Sequence, residues 1–232
     1  MNGITYSIIA CYIDKGMKSK GSKCLMEFNK KKLLDYQIEQ IISGHKSSVP
    51  YEIIIITNFE TPKIVKYFNS KIKVIDLDEH TNPLAKTCQE SIYSNVFFID
   101  YGCVYNADII KEIINNDQSC VASVRNNKLN TLDIGLIIDY DTNTVQHLFF
   151  DLPPDNKFAN MFFLQSDCVT DIKNNRKLQR SNLMYFEILN SLISSGNAIY
   201  NFSITDPNVF IFFNHMRQKH GITKFIKQNS IN

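Results

Sequence analysis

Four lysines, Lys15, Lys18, Lys20 and Lys23, crowd the stretch that follows a short apolar run from Ile4 to Ala10, with Gly16 and Gly21 among them. A buried strand emptying into such a stretch presents backbone N–H groups and ammonium heads to an anion, and the glycines let the backbone come close. The chemistry that suits this spacing is phosphate binding. Seen alone, the same lysines also describe a solvated loop; their place directly after a buried strand is what points to a nucleotide. Two further positions bear on metal chemistry. Asp206 offers hard carboxylate oxygens, although Asp206-Pro207 is equally a helix start, with Asp as N-cap and Pro at the first helical position. Cys103 reads as a small semi-apolar residue at the close of a buried strand, ahead of any reactive-thiol role. The histidines and cysteines are spread too widely to hold a metal: His45, His80, His147, His215 and His220 have no ligand spacing, and Cys11, Cys24, Cys88, Cys103, Cys120 and Cys168 contain no C-x-x-C pair. No Gly-x-Ser-x-Gly step marks a nucleophile.

The elements that must position these residues alternate. Ile4 to Ala10 and the four successive isoleucines of Glu52 to Thr57 read as buried strands, as do Lys71 to Leu77 and Val96 to Asp100. Helical patterns fall between them at Lys32 to Ile42, stopped by Gly44, after Pro62, and at Leu84 to Tyr93. Strands separated by helices imply a doubly wound, mainly parallel sheet in an α/β fold. The second half changes character. Val121 to Val124, Leu132 to Ile138 and Val145 to Phe150 are strand-like with no helix between them, Asp139 to Asn143 reads as a hairpin turn, and Met161 to Leu164 as one more strand. This predicts a small antiparallel second lobe, followed by a helix over Leu183 to Ser194 and a last helix beginning near Asp206. The apolar stretch Val209 to Phe213 reads as core. With no linker or repeat, residues 1–232 are expected to form one domain, with a nucleotide-binding lobe over 1–118 and an acceptor-side lobe and C-terminal helix over 119–232.

A formal charge of +2, from 25 basic and 23 acidic side chains, gives no global field for nucleic acid or an anionic membrane, so phosphate recognition must be local. No segment approaches a membrane span and no leader pattern is seen, so a cytoplasmic protein with free thiols is expected.

The fragments Ala10-Cys11-Tyr12-Ile13-Asp14-Lys15-Gly16-Met17-Lys18, Lys23-Cys24-Leu25 and Leu33-Leu34-Asp35-Tyr36-Gln37-Ile38 together resemble the opening of the sugar-phosphate and choline-phosphate nucleotidylyltransferases, which share a GT-A-like, Rossmann-like fold. Thr81-Asn82, Tyr101-Gly102-Cys103, Ile134 to Asp139, Phe186 to Asn190 through Gly196, and Ile204-Thr205-Asp206-Pro207 come next in family order. The resemblance implies a nucleoside triphosphate held by Ala10, Gly16, Lys18, Lys23 and Asn82, with Lys23 as the catalytic lysine of an active member. It also implies Mg²⁺ shared by two aspartates, one of which matches Asp206.

The other metal position reads Cys103, and a protonated thiol is a poor ligand for Mg²⁺. Asp100, taken as about 10 Å away along an extended strand, is not expected to replace it. The loop carries lysines where the family has an arginine, Ser22 stands where proline precedes the lysine, and Leu152 stands where a lysine faces the acceptor phosphate. The metal aspartate, the loop arginine and the acceptor lysine all serve the same stabilisation of phosphoryl charge. Their joint loss predicts a degenerate member, a pseudoenzyme kept as a nucleotide-binding or assembly module, with a protein partner or self-association. The alternatives are an active Mg²⁺-dependent enzyme joining a nucleotide to a phosphorylated sugar or to choline phosphate, and a purely structural protein. On this reading Cys103→Asp should improve Mg²⁺ binding beside Asp206.

Overall fold

The structure is a computed structural model and describes residues 3–10, 23–68, 72–78, 81–125, 133–150, 152, 154–179, 183–206, 208–213 and 218–229. Strand β1 (Ile4–Ala10) lies at its centre, buried along its whole length. It pairs in parallel with β4 (Tyr51–Thr57) on one side and β6 (Asn95–Asp100) on the other. Alternate side chains of these strands enter two different cores, and both cores are covered by helices. Tyr6, Ile8, Ile55, Phe97 and Ile99 pack beneath α1 (Leu33–Gly44), α2 (Thr61–Phe68) and α4 (Ala107–Asn115). Ile9, Ile54, Ile56 and Phe98 pack beneath α3 (Pro83–Glu90), α5 (Ser166–Asn174) and α6 (Tyr185–Ser194). This two-sided burial is why β4 carries an unbroken run of isoleucines and not an alternating pattern.

The full sheet has nine strands in the order β5 (Lys73–Asp76), β4, β1, β6, β11 (Asn156–Leu164), β8 (Cys120–Arg125), β12 (Tyr200–Ile204), β10 (Thr144–Phe149) and β9 (Gly135–Asp139). From β5 to β6 every pairing is parallel. Beyond β6 the pairings are antiparallel, except that β12 runs parallel to β8. The expected strands Ile4–Ala10, Ile53–Thr57 and Val96–Asp100 are thus immediate neighbours, and the antiparallel lobe continues their sheet.

Two small sheets complete the architecture. β2 (Glu27–Phe28) and β3 (Lys31–Lys32) form a hairpin whose turn residues Asn29 and Lys30 have φ of 52° and 64°, the backbone of a tight two-residue turn. β7 (Cys103–Tyr105) pairs with β13 (Phe210–Phe212). The last helix, α7 (Lys219–Asn229), lays Ile222, Phe225 and Ile226 over Phe28, Tyr36, Val104 and Phe213.

The expected helix start at Asp206 is corrected here. The Asp206 carboxylate accepts hydrogen bonds from the backbone N–H of Asn208 at 2.8 Å and from its side-chain Nδ2 at 2.9 Å, which makes a local turn. That turn delivers Phe210 to Phe212 into β13, so the helix begins only at Lys219. Val209 to Phe213 is core as expected, with Phe213 at 1% exposure. Helices α4 and α5 and strand β12 occupy stretches where the sequence pattern had suggested no element.

Helices α1 and α4 meet at a glycine. A Cβ built on Gly44 would stand 2.3 Å from the carbonyl oxygen of Ala107 and 2.7 Å from Ile110 Cβ, and the first of these is backbone that cannot rotate away. Gly44→Ala is therefore expected to lower unfolding stability by about 1–3 kcal/mol, as overpacking does. Urea denaturation measures this, and an unchanged midpoint would contradict the packing.

Candidate functional site

Ala10, Thr57 and Asp100 end three neighbouring parallel strands on one edge of the sheet, which is where doubly wound sheets bind ligands. Leaving Ala10, the chain enters 11–22, so the expected phosphate-loop residues Gly16 and Lys18, with Lys15, Lys20 and Gly21, lie outside the described residues. The chain returns at a single 3-10 turn, Lys23–Leu25, anchored by Cys24, which is buried in the same core as α1. Lys23 opens that turn. The neighbouring lysines have other commitments. Lys31 Nζ lies 2.6 Å from Glu39 Oε2, and Lys32 Nζ stands 3.4 Å over the centre of the Tyr67 ring, whose hydroxyl donates to Asp35.

Asn82 has a structural duty at its expected place. It is fully buried and caps α3, its Oδ1 accepting from the N–H groups of Leu84 at 2.9 Å and Ala85 at 3.3 Å, while Nδ2 donates to the Leu183 carbonyl at 3.0 Å. Helix α3 thereby fixes the cleft wall that leads to α6.

The metal position takes a different form from the expected one. The chain does not run straight from Asp100 to Cys103 but turns at Tyr101 and Gly102, with the Asp100 carboxylate accepting from the Gly102 N–H at 2.7 Å. Asp100 is therefore folded back toward Cys103, and the expected separation of about 10 Å, which assumes extended backbone, fails for that reason. Cys103 itself is wholly buried as the first residue of β7, and its thiol donates to the carbonyls of Ala159 at 3.2 Å and Asn160 at 3.4 Å. Burial, reinforced by the Asp100 charge, raises its pKa well above the ordinary thiol value. The backbone around it is unusual. Asn160 has φ of 55° at an irregularity in the β11–β8 pairing.

Two hollows share Phe212 in their walls, and the smaller opens at this turn. One, of about 230 Å³, is bounded by Asp100, Tyr101, Ile134, Asn160, Met184 and Tyr185. The other, of about 400 Å³, includes Arg125, Lys157, Thr205, Asp206 and Gln218 in its wall. Lys157 is held 2.7 Å from Asp133. Arg125, Lys157, Gln218 and Asn160 were not singled out from the sequence, because only the register of β8 against β11 brings the two basic residues to one cleft. Leu152, where the acceptor lysine was sought, is 62% exposed.

As a pair, Cys103 and Asp206 do not fit Mg²⁺. A protonated thiol aimed at two carbonyls offers no hard anionic oxygen, which leaves Asp206, with Oδ1 already in a turn, as the pair's single hard ligand. Among the described residues, no group of three or more His, Cys, Asp or Glu side chains is gathered to hold a metal. Among the described histidines and cysteines, His45 and the cysteines have structural places. His45 takes the Tyr6 hydroxyl on Nδ1 at 2.7 Å and gives Nε2–H to the Val49 carbonyl at 2.6 Å, His147 is exposed, and five cysteines are buried free thiols.

The burial of Cys103 reverses one expectation. A carboxylate at position 103 would face two carbonyl oxygens in a dry interior instead of a metal. Cys103→Asp should destabilise the fold by about 3–5 kcal/mol, the cost of an uncompensated buried charge, and Mg²⁺ should not restore the loss. Chemical denaturation with and without Mg²⁺ measures both, and a variant stabilised by Mg²⁺ would contradict this geometry.

No protein-family model matches the sequence, and no curated protein matches it. Solved structures do. The CTP:phosphocholine cytidylyltransferase of Streptococcus pneumoniae superposes with a TM-score of 0.76 at 17% identity, over 97% of this chain and 99% of that one. The inositol-1-phosphate CTP transferase of T. maritima gives 0.69 at 8% identity, over 100% and 99%. A nucleoside-diphosphate-sugar pyrophosphorylase of Vibrio cholerae gives 0.68 at 11% identity, over 94% and 99%. At such low identity these matches speak for architecture, and they agree with the fragments found in family order along the sequence: the chain has the fold of the sugar-phosphate and choline-phosphate nucleotidylyltransferases.

Proposed function

We propose that this protein is a nucleotide-binding module of nucleotidyltransferase type that has lost efficient nucleotidyl transfer. The observation that carries the reading is Cys103, a fully buried, protonated thiol spent on the carbonyls of Ala159 and Asn160 where the family resemblance calls for a metal carboxylate. Binding needs less than transfer. It requires the strand edge at Ala10, the loop that ends at Lys23, and a cleft with local positive charge. Arg125, exposed and without an ion pair among the described residues, supplies such charge in the larger hollow, where Lys157 is paired with Asp133. In this reading residues 1–118 hold the nucleotide and 119–232 form the acceptor side. The buried free thiols favour a cytoplasmic setting, and no described helix is long and apolar enough to cross a membrane. A protein partner or a second copy would use the bound state as an assembly signal.

The active alternative has one observation in its favour. The Asp100 carboxylate is close enough to Cys103 to raise its pKa, so an anionic oxygen does stand near the altered position. Metal dependence separates the two readings. With a nucleoside triphosphate at about 100-fold excess over Kd, the melting temperature should rise by about 5 °C or more. The rise should be the same with EDTA as with Mg²⁺. A shift seen only with Mg²⁺ would favour the enzyme, and no shift with any of CTP, UTP, ATP, GTP or dTTP would end the nucleotide reading.

Lys23 provides a second check. Lys31 is paired with Glu39, so Lys23→Glu should weaken nucleotide binding by about tenfold or more, the scale of a lost charge-assisted hydrogen bond, while Lys31→Glu changes it little. Calorimetric titration of both variants measures this. Equal losses would mean a diffuse electrostatic effect and no defined loop.

A further inference from the structure

Gln37 lies in the second turn of α1 with no exposed surface, among Leu33, Leu34, Tyr36, Ile38 and Ile41. A buried glutamine on an apolar helix face is costly unless its amide is used. Here one end is used heavily. Nε2 lies 3.2 Å from the Asp100 carbonyl, 3.1 Å from that of Tyr101 and 2.8 Å from that of Cys103. Two N–H groups thus serve three acceptors, all in the turn between β6 and β7. The amide orientation is forced, since the flipped amide would set Oε1 against three carbonyl oxygens. Oε1 finds no hydrogen-bond partner among the described residues. The helix and the turn are tied twice more, by Tyr36 OH donating to the Tyr105 carbonyl at 2.8 Å and Tyr105 OH donating to the Gln37 carbonyl at 3.2 Å.

The clasped turn carries the features that shape the cleft. Its Gly102 N–H orients the Asp100 carboxylate, and Tyr101 and Asp100 line the smaller hollow. The turn's other side is packed tightly. A Cβ on Gly102 would stand 3.0 Å from the Phe212 ring and 3.0 Å from the Phe213 carbonyl oxygen. Helix α1 comes after the loop segment and the β2–β3 hairpin directly in the chain. One amide therefore joins the helix that follows the β2–β3 hairpin to the turn between β6 and β7.

We infer that Gln37 is a positioning residue for the ligand cleft, holding the Asp100–Cys103 turn through its side-chain amide so that the cleft is formed before a nucleotide arrives. The inference rests on the nucleotide reading for its functional consequence, while the mechanical claim stands on the hydrogen bonds alone. Gln37→Met keeps length and bulk but removes the amide. In the full-length variant, amide hydrogen exchange of a peptide covering residues 100–105 should be about tenfold faster, with a peptide covering 144–149 unchanged. Affinity for CTP in EDTA should fall about fivefold at a temperature where the variant remains folded.

Gln37→Glu carries the same test if the methionine variant does not fold. As a carboxylate it repels the three carbonyls; protonated at low pH, its O–H can again donate to one of them. After correction for intrinsic exchange rates, its 100–105 peptide should be protected at pH 5 and lose that protection at pH 8. Neither wild type nor Gln37→Met should show this pH profile. Exchange over 100–105 that is the same as wild type in Gln37→Met, or without pH dependence in Gln37→Glu, overturns the clasp. Faster exchange with unchanged CTP affinity overturns its role in binding. Should wild type bind no nucleotide, the functional reading falls, and the exchange result still decides whether Gln37 holds the turn.

Discussion

The parallel pairing of β1 with both β4 and β6 is the constraint on which the remaining structure depends. Because β1 is covered on both faces and both edges, its residues are dictated by packing, and its C-terminal end at Ala10 reaches the sheet edge where doubly wound folds bind ligands. The buried polar residues on it are tied locally: Thr5 Oγ1 donates to Glu52 at 2.6 Å and Ser7 meets Thr87 at 2.8 Å. On the nucleotide reading, function would lie with residues 11–22, the turn after Asp100 and the cap at Asn82. The fold supplies the edge, and on the proposed reading phosphates would sit there.

At that turn, stability and chemistry compete for the same position. Catalysis by a hard cation needs solvent-facing oxygen at the cleft, whereas position 103 is enclosed by β7, β11 and β13. A thiol suits the enclosed site because it fills the space and donates weakly to the two carbonyls it faces. A carboxylate placed there by a single change would face those two carbonyls and the Asp100 charge in a dry interior. Asp100 keeps an anionic oxygen nearby, but its orientation is governed by Gly102 and by the carbonyls clasped from α1.

Much of the fold was legible in the sequence where one physical signal dominates. The four isoleucines of β4 declare two-sided burial, and the parallel half of the sheet is implied by strands alternating with helices. The loop lysines and Cys103 were likewise visible. The misreadings share a cause. Asp206-Pro207 has good local helix-start chemistry, but the apolar Phe210 to Phe212 segment finds a partner in Cys103 to Tyr105, a distant contact along the chain that local pattern cannot show. An extended chain would carry Asp100 away from Cys103, but the Gly102 N–H folds the carboxylate back. Arg125 and Lys157 lacked any motif, and their meeting depends on strand register. Helix α4 could have been found, since buried Ile109, Ile110, Ile113 and Ile114 repeat at helical spacing.

A cleft that keeps the nucleotide and has given up the transfer should release no pyrophosphate. Its most direct test is pyrophosphate release by the wild-type chain with Mg²⁺, each of CTP, UTP, ATP, GTP and dTTP in turn, and a sugar 1-phosphate or phosphocholine as acceptor. The account predicts release no faster than in a protein-free control. Mg²⁺-dependent turnover that is abolished by Asp206→Ala or Asp100→Ala would contradict it and make the protein an active enzyme with a rearranged metal site.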